Sequence, residues 1–456
     1  MRLARPLTRS LTTGTAVTAL VLTLGACGSG DSGDDSEATI KVAYQKFGNF
    51  TQADDLFKEV KAEYEKANPD VTVELVPIEA SQNDYFTKLA LMQRSPSTAP
   101  DLMFEDTFMI KSDVEAGYLL PLDDYLADWE DWGQFVDAAK QAGLGDDGKT
   151  YGVSMGTDTR GLWFNKDVLT KAGLSADWAP KSWDDVLTAA RAIKKSQPDV
   201  IPLNVYSGKP MGEASTMQGF EMLLYGTGGT LYDEGQSKWV TGSQEFVDSL
   251  QFLQTIYSEG LAPTPQQALD PNVGNTVAAE WLPSGKLGID LDGNWQAGTW
   301  LESGTKPWPE WSEKLGTTPM PTQNGQEPGA VSMSGGWTLA VGANSEHPDI
   351  AFDVLADTLD KDGSLKYAVS NSQIAVRTDV AEDPEYLESN PTTKFFSDLV
   401  EVTHFRPATS DYAQISNAIQ VAMEAVMTEQ ASPEDAAAAY DKAVIGVVGE
   451  ENTTNG

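Results

Sequence analysis

Strand-like and helix-like stretches alternate along the first third of the chain, and this constrains the fold more than any other feature. Thr39-Ile-Lys-Val-Ala-Tyr44 alternates apolar and polar residues with the period of a strand. Thr51 then opens a helix, with Asp54 three residues on in a near capping box. Leu56, Phe57, Val60 and Tyr64 supply its apolar stripe, and Asn68-Pro69 ends it. Residues 71–78 read as a second strand, 84–94 as a second helix and 101–104 as a third, short strand. Strands alternating with helices imply an α/β fold with a mostly parallel sheet and right-handed crossovers. At 456 residues the chain is too long for one small core, so two lobes are expected.

In such a sheet, ligands bind beyond the carboxyl ends of the strands. Those ends carry Gln45-Lys-Phe-Gly-Asn-Phe50, Ser81-Gln-Asn83 and Glu105-Asp106-Thr107. Any one such loop is a solvated turn, but three on one edge make Gln45, Phe47, Asn83, Glu105 and Asp106 candidates for contact with a solute. Further on, residues 151–166 read as a strand, a polar turn at 156–160 and a second strand at 162–165. Asp158 and Arg160 sit in that turn, where the chain would leave the first lobe. In Gly285-Lys-Leu-Gly-Ile-Asp-Leu-Asp-Gly-Asn-Trp295, Ile289 and Leu291 alternate with Asp290 and Asp292, which predicts a strand stopping at Gly293. Asp292, Asn294 and Trp295 then leave its end together. Carboxylate and amide oxygens accept bonds from hydroxyls and an indole face covers a ring's C–H patch, so the set suits a neutral polyhydroxylated ligand. The competing reading is a strand–turn–helix junction with Trp295 in the core.

Helices are expected at 213–224, 243–259 with Gly260 behind it, from His347-Pro-Asp349 onward, at 412–428 and from Ser432-Pro433 onward. Trp300, Trp308 and Trp311 fall in a Pro-rich segment expected at the surface. Trp337 leads into a strand at 338–341, and Ile374-Ala-Val-Arg377 is a short extended piece.

Acidic residues outnumber basic ones 68 to 31, for a net charge of -37. Nucleic-acid and anionic-lipid partners need clustered Lys and Arg, so both are excluded, and such a charge favours a soluble monomer. The two histidines, His347 and His404, show no metal-ligand spacing. No metal or cofactor is expected. Cys27, the single cysteine, rules out an internal disulfide. It follows Arg2, Arg5, Arg9, an apolar run over 16–24 and Leu24-Gly-Ala. This reads as a signal peptide over 1–26 with Cys27 as a lipidated first residue, then a flexible tether over 27–37. Ordinary secretory cleavage beside an incidental cysteine is the alternative.

Taken in order, Ala99-Pro-Asp-Leu-Met-Phe-Glu-Asp106, Gly117-Tyr-Leu-Leu-Pro-Leu-Asp123, residues 151–173, Ser182-Trp-Asp-Asp-Val186, residues 285–295, Gly335-Gly-Trp-Thr-Leu339 and Ser432-Pro-Glu-Asp-Ala436 resemble the family 1 extracellular solute-binding proteins of bacterial ABC importers, the group containing the maltose-binding protein. The resemblance implies a periplasmic-binding-protein-like fold of two α/β lobes joined by a hinge that the chain crosses several times. One lobe would hold 38–155 plus 337–376 and the other 156–336 plus 377–456. It also implies closure around a sugar, no catalysis, ABC permease partners and a lipid anchor on the outer face of the cell membrane. By position it adds Trp337 to the contacts and supports Glu105, Asp106, Asp158, Arg160, Asp292 and Trp295. The Gln45–Phe50 loop has Phe47 and Phe50 where many relatives have Trp. Arg377 is hinge structure in this reading. Two other functions fit the composition: a secreted glycosidase using paired carboxylates, and a binding protein for a cationic solute such as a polyamine.

Overall fold

A computed structural model describes residues 38–46, 48 and 51–456. Cys27, the segments on either side of it and Phe47 lie outside the described residues.

The first sheet has five strands, in the order Val71–Glu79, Ala38–Lys46, Leu102–Asp106, Trp337–Val341, Gly152–Ser154. The first three are parallel, connected through the helices Gln52–Ala67 and Gln82–Gln93, and Trp337–Val341 runs antiparallel to both its neighbours. Successive side chains of a strand point to opposite faces. Ile40, Val42, Tyr44, Leu102 and Phe104 therefore pack with Leu56, Phe57 and Val60 of the first helix. Ala43 and Met103 turn the other way, toward Tyr85, Phe86 and Leu89 of the second. The Leu102–Asp106 strand runs two residues further than its polarity suggested. Glu105 and Asp106 stay in the ladder, opposite Thr338 and Trp337.

The second sheet is ordered Leu315–Thr318, Arg160–Asn165, Leu287–Gly293, Ile201–Asn204. Only its last pair is parallel, so the expectation of a mostly parallel sheet fails here. The chain enters this sheet through a short turn after Ser154 rather than a helical crossover, and Arg160 is already its first strand residue. Both faces of Leu287–Gly293 are buried, Asp290 as completely as Ile289, so its alternation does not mark a solvent face.

Two further expectations are corrected. Residues 214–221 form a π-helical run, Ala214–Glu221, before an α-helix at Met222–Thr227. Trp300 and Trp311 are not at the surface: they are 1% and 5% exposed and pack with Trp163 and Phe396 beneath the second sheet. The helices Gln244–Ser258, Pro348–Thr358, Tyr412–Met427 and Pro433–Val448 lie where the sequence predicts, and Gly260 has the positive φ of a helix terminator. Among the described residues no helix is long and apolar enough to cross a membrane.

Three segments run side by side near the two sheets: 156–160, 334–337 and 372–377. Thr157 and Ile374 exchange backbone hydrogen bonds of 3.0 and 2.9 Å. The Thr157 hydroxyl donates to the Gly335 carbonyl at 2.9 Å, and Gly336 sits too close to the Gly156 carbonyl for a Cβ. Arg377 is 1% exposed and bonds Asp379, Asp131 and the Leu359 carbonyl, which makes it structural.

Candidate functional site

A cleft of about 1310 Å3, including its open mouth, lies between the ends of the two sheets. Gln45, Asp106, Asp158, Arg160, Asp292, Trp295 and Trp337 all line it. Two other predicted residues do not. Glu105 shares the Met103 face of its strand, fully buried, where Gln93 donates to it at 3.0 Å. Burial, then the Asp113 carboxylate beside it, pushes Glu105 well above the usual carboxylate range. Asn83 is exposed and rests its amide against Gly212. Gly212 has a φ of 55°, and a side chain there would collide with Asn83. Gly48, on the loop after the first strand, meets Asn275 in the same way.

The second-sheet wall is built on side-chain pairs between parallel neighbours. Asn204 and Asp290 are register partners, and Asn204 Nδ2 donates to Asp290 at 2.8 Å. Two residues on, the Tyr206 hydroxyl donates to Asp292 Oδ2 at 2.8 Å. Asp292 also accepts from the Gly293 amide at 2.7 Å and from the Gln296 side chain. Burial raises Asp292 to about 6 against these donors, and burial plus the Asp292 charge holds Asp290 well above the usual carboxylate range. Three protein donors leave Asp292 little free acceptor capacity. Trp295 is half-buried, and the Arg160 guanidinium lies 4.7 Å from its ring centre. Its ring covers Gly293, where any Cβ would strike it. Asn294 proves to be a pin rather than a cleft residue. It accepts from the Thr159 amide at 2.9 Å and donates to the Ser372 carbonyl at 2.5 Å.

Among the described residues lining the cleft, every charged side chain has a partner. Asp158 accepts from Arg160 and from the Gly335 amide at 2.9 Å. Asp106 accepts from Arg406 Nη2 at 2.5 Å, and Glu213 lies 3.4 Å from Arg406 Nη1. Burial works against the Arg406 charge, yet Asp106, Tyr412 and Glu213 outweigh it and hold the guanidinium above its usual range. On the first-sheet wall, Trp337 stacks on Phe104 with ring centres 4.1 Å apart, and Gln45 donates to the Ala80 carbonyl at 3.1 Å.

Sequence reasoning missed Tyr206, Glu213, Gln296 and Arg406. Tyr206 follows Ile201-Pro-Leu-Asn204, and recognising that short strand would have placed it at the same sheet edge as Asp292. Arg406 carries no local signal. Among the described residues, no group of three or more His, Cys, Asp or Glu is placed to hold a metal.

The sequence profile of the bacterial extracellular solute-binding proteins matches residues 48–364, more than half of the chain. The chain belongs to that family. A probable ABC transporter-binding protein of Deinococcus radiodurans is 28% identical over 63% of this member, and the match spans 66% of that relative, just under two thirds. An arabinooligosaccharide-binding protein of Bacillus subtilis is 22% identical over 91% of this family member and 94% of its own length. Among solved structures, the GacH receptor of Streptomyces glaucescens, crystallised unliganded and with acarbose, superposes with a TM-score of 0.76 at 24% identity. That match covers 91% of this solute-binding protein and 99% of the receptor, and it shows the fold.

Proposed function

We propose that this protein captures a neutral di- or oligosaccharide in the cleft, leaves it chemically unchanged, and delivers it to the permease subunits of an ABC importer. The observation that carries the reading is the pairing of cleft charges. Among the described lining residues, Arg160 pairs with Asp158, and Arg406 with Asp106 and Glu213, so neither is a lone cation for an anionic solute. The same pairs leave few free carboxylates for a polycation, while Trp295 and Trp337 offer ring surface. Uncharged hydroxyls can still bond to such paired groups, because each retains unused donors or acceptors. The pairing also argues against glycoside hydrolysis, which needs one carboxyl group held as an acid opposite a free carboxylate. The oligosaccharide-binding relative and the acarbose receptor support the sugar assignment.

In this reading the two sheets are the cores of two lobes, 38–155 plus 337–376 and 156–336 plus 377–456, and the three adjoining segments are the hinge. Residues 1–26 are a signal peptide, and lipid on Cys27 holds a monomer at the outer face of the cell membrane through the 27–37 tether.

A thermal-shift screen tests the assignment. Ligand at 100 times its Kd adds roughly 2.7 kcal/mol to the folded state, so a bound saccharide raises the melting temperature while polyamines do not. The reverse pattern rejects the sugar assignment, and release of reducing ends from a glycan makes the protein an enzyme.

A further inference from the structure

Arg406 joins parts of the chain that are far apart in sequence. Asp106 stands 300 residues earlier, at the end of the first sheet, and Glu213 stands 193 residues earlier, before the π-helical run. All three side chains are at most 6% exposed. The guanidinium meets Asp106 as a fork, with Nη2–Oδ1 at 2.5 Å and Nη1–Oδ2 at 3.4 Å. Its face lies 4.6 Å from the Phe108 ring centre. Gly335 makes room: a Cβ there would sit 2.9 Å from Arg406 Nη2.

The anchorage of the two partners differs. Arg406 follows Thr403–Phe405, which pairs with Ala330–Ser334, and Ser332 of that strand bonds the Arg160 backbone in the second sheet. Asp106 belongs to the ladder of the first sheet. Any separation of the two sheets therefore pulls Asp106 from Arg406, while Glu213 stays: its carboxylate accepts from Tyr412 at 3.0 Å and from Ser416, both on the Tyr412–Met427 helix.

We propose that Arg406 is a positioning residue for solute capture: its pair with Asp106 forms only when the cleft walls meet, and it holds Asp106 and Glu213 in place against the bound solute. The inference rests on the capture reading above. Closure then carries its own electrostatic lock, and Asp106 changes from a hydrated carboxylate in the open cleft to a neutralised acceptor in the closed one. A pair present at all times would be purely structural, and removing one partner would strand a buried charge and lower stability sharply.

A double-mutant cycle separates the two. Asp106→Asn, Arg406→Gln and the double variant are compared with the wild type for the affinity of the saccharide that shifts it most, and for unliganded melting temperature. Each single change is expected to weaken binding by about tenfold, and the double by little more than either single, because the two residues share one interaction. In the unliganded protein the shifts of the two single variants simply add, the Arg406→Gln shift being the larger because it also strips Glu213 of its partner. Additive losses in affinity overturn the proposal. So does a coupling in unliganded stability as large as that in affinity. Arg406→Lys keeps the charge without the fork and stands in if Arg406→Gln fails to fold; an affinity equal to wild type for Arg406→Lys also overturns the proposal. A wild-type protein shifted by no saccharide removes the capture reading and this inference with it, whereas a binding wild type with an additive cycle removes the inference alone.

Discussion

Trp295 precedes and Trp300 ends one short helix, Gln296–Trp300, and their surroundings are opposite. Trp300 is 1% exposed, donates its indole N–H to the Ala278 carbonyl at 2.7 Å, and lies edge-on to Trp163 and Trp308. Trp295 is half-buried, donates no such bond to the core, and lines the cleft beside Arg160. One turn of helix separates a residue that holds the second sheet on its underlying layer from one that forms a wall. Indoles bury large apolar areas in either place. What decides their role is whether the face away from the backbone meets protein or open cleft.

Trp300→Ala would break the comparison most visibly. Removing a fully packed indole from the Trp163, Trp308 and Trp311 cluster is expected to cost about 3–5 kcal/mol of stability, read as a lower midpoint in denaturant melts without ligand. Trp295→Ala is expected to leave that midpoint within about 1 kcal/mol, since part of its surface is already wet. Saccharide affinity should fall roughly 10- to 100-fold, or about 1.4–2.8 kcal/mol, by calorimetry. If Trp295→Ala melts as early as Trp300→Ala, Trp295 belongs to the core and the ring platform is lost as an idea.

The same contrast holds among the acids. Asp106 faces a guanidinium, whereas Glu221, fully buried behind Glu213, is pushed up to about 8 by burial first and by the Glu213 charge second. One Glu221 oxygen lies 3.0 Å from the Tyr412 hydroxyl, whose single hydrogen is shared with Glu213, and the other oxygen has no partner. A carboxyl group raised in the folded state binds more protons than it does in the unfolded chain. Its contribution is therefore complete below the unfolded pKa of about 4.3 and is lost as pH rises through about 8. Glu221→Gln, which cannot ionise, is expected to raise stability at pH 8 by on the order of 1 kcal/mol and to flatten the decline from pH 5 to 8. Unchanged melting curves at both pH values would show that Glu221 titrates normally.

The sequence revealed the alternation that builds the first sheet, because its helices and strands bury one clear face each. It was less informative where polar residues are buried in pairs. Glu105 and Asp106 look like a loop, yet Trp337 and Thr338 keep them in the ladder. Asp290 looks like a solvent face, yet it is buried, with one oxygen bonded to Asn204 and the other without a partner. The proline and charged residues around Trp300 and Trp311 suggested a surface segment, and only packing against Trp163 and Phe396 reveals a core. Within the site, strand ends announced Asp106, Asp292 and Trp295. Arg406 went unseen because its meaning lies in a carboxylate 300 residues away.

The smallest expected effect concerns the rim. The loop position of Asn83 predicts a solute contact, and the structure places it outside the cleft lining, with its amide against Gly212 and 3.5 Å from the Gln420 oxygen. A contact of that length is at the edge of a hydrogen bond, and its donor is exposed to competing water. Asn83→Ala should therefore change stability by less than about 0.5 kcal/mol. If the rim contact forms only on closure, its loss should weaken saccharide affinity by about threefold at most, since a net hydrogen bond seldom exceeds ~0.5–1.5 kcal/mol and this one is long. Calorimetry on Asn83→Ala beside Trp295→Ala sharpens the division between rim and wall: comparable losses in the two would mean that Asn83 reaches the solute and that the cleft extends past the Gly212 edge.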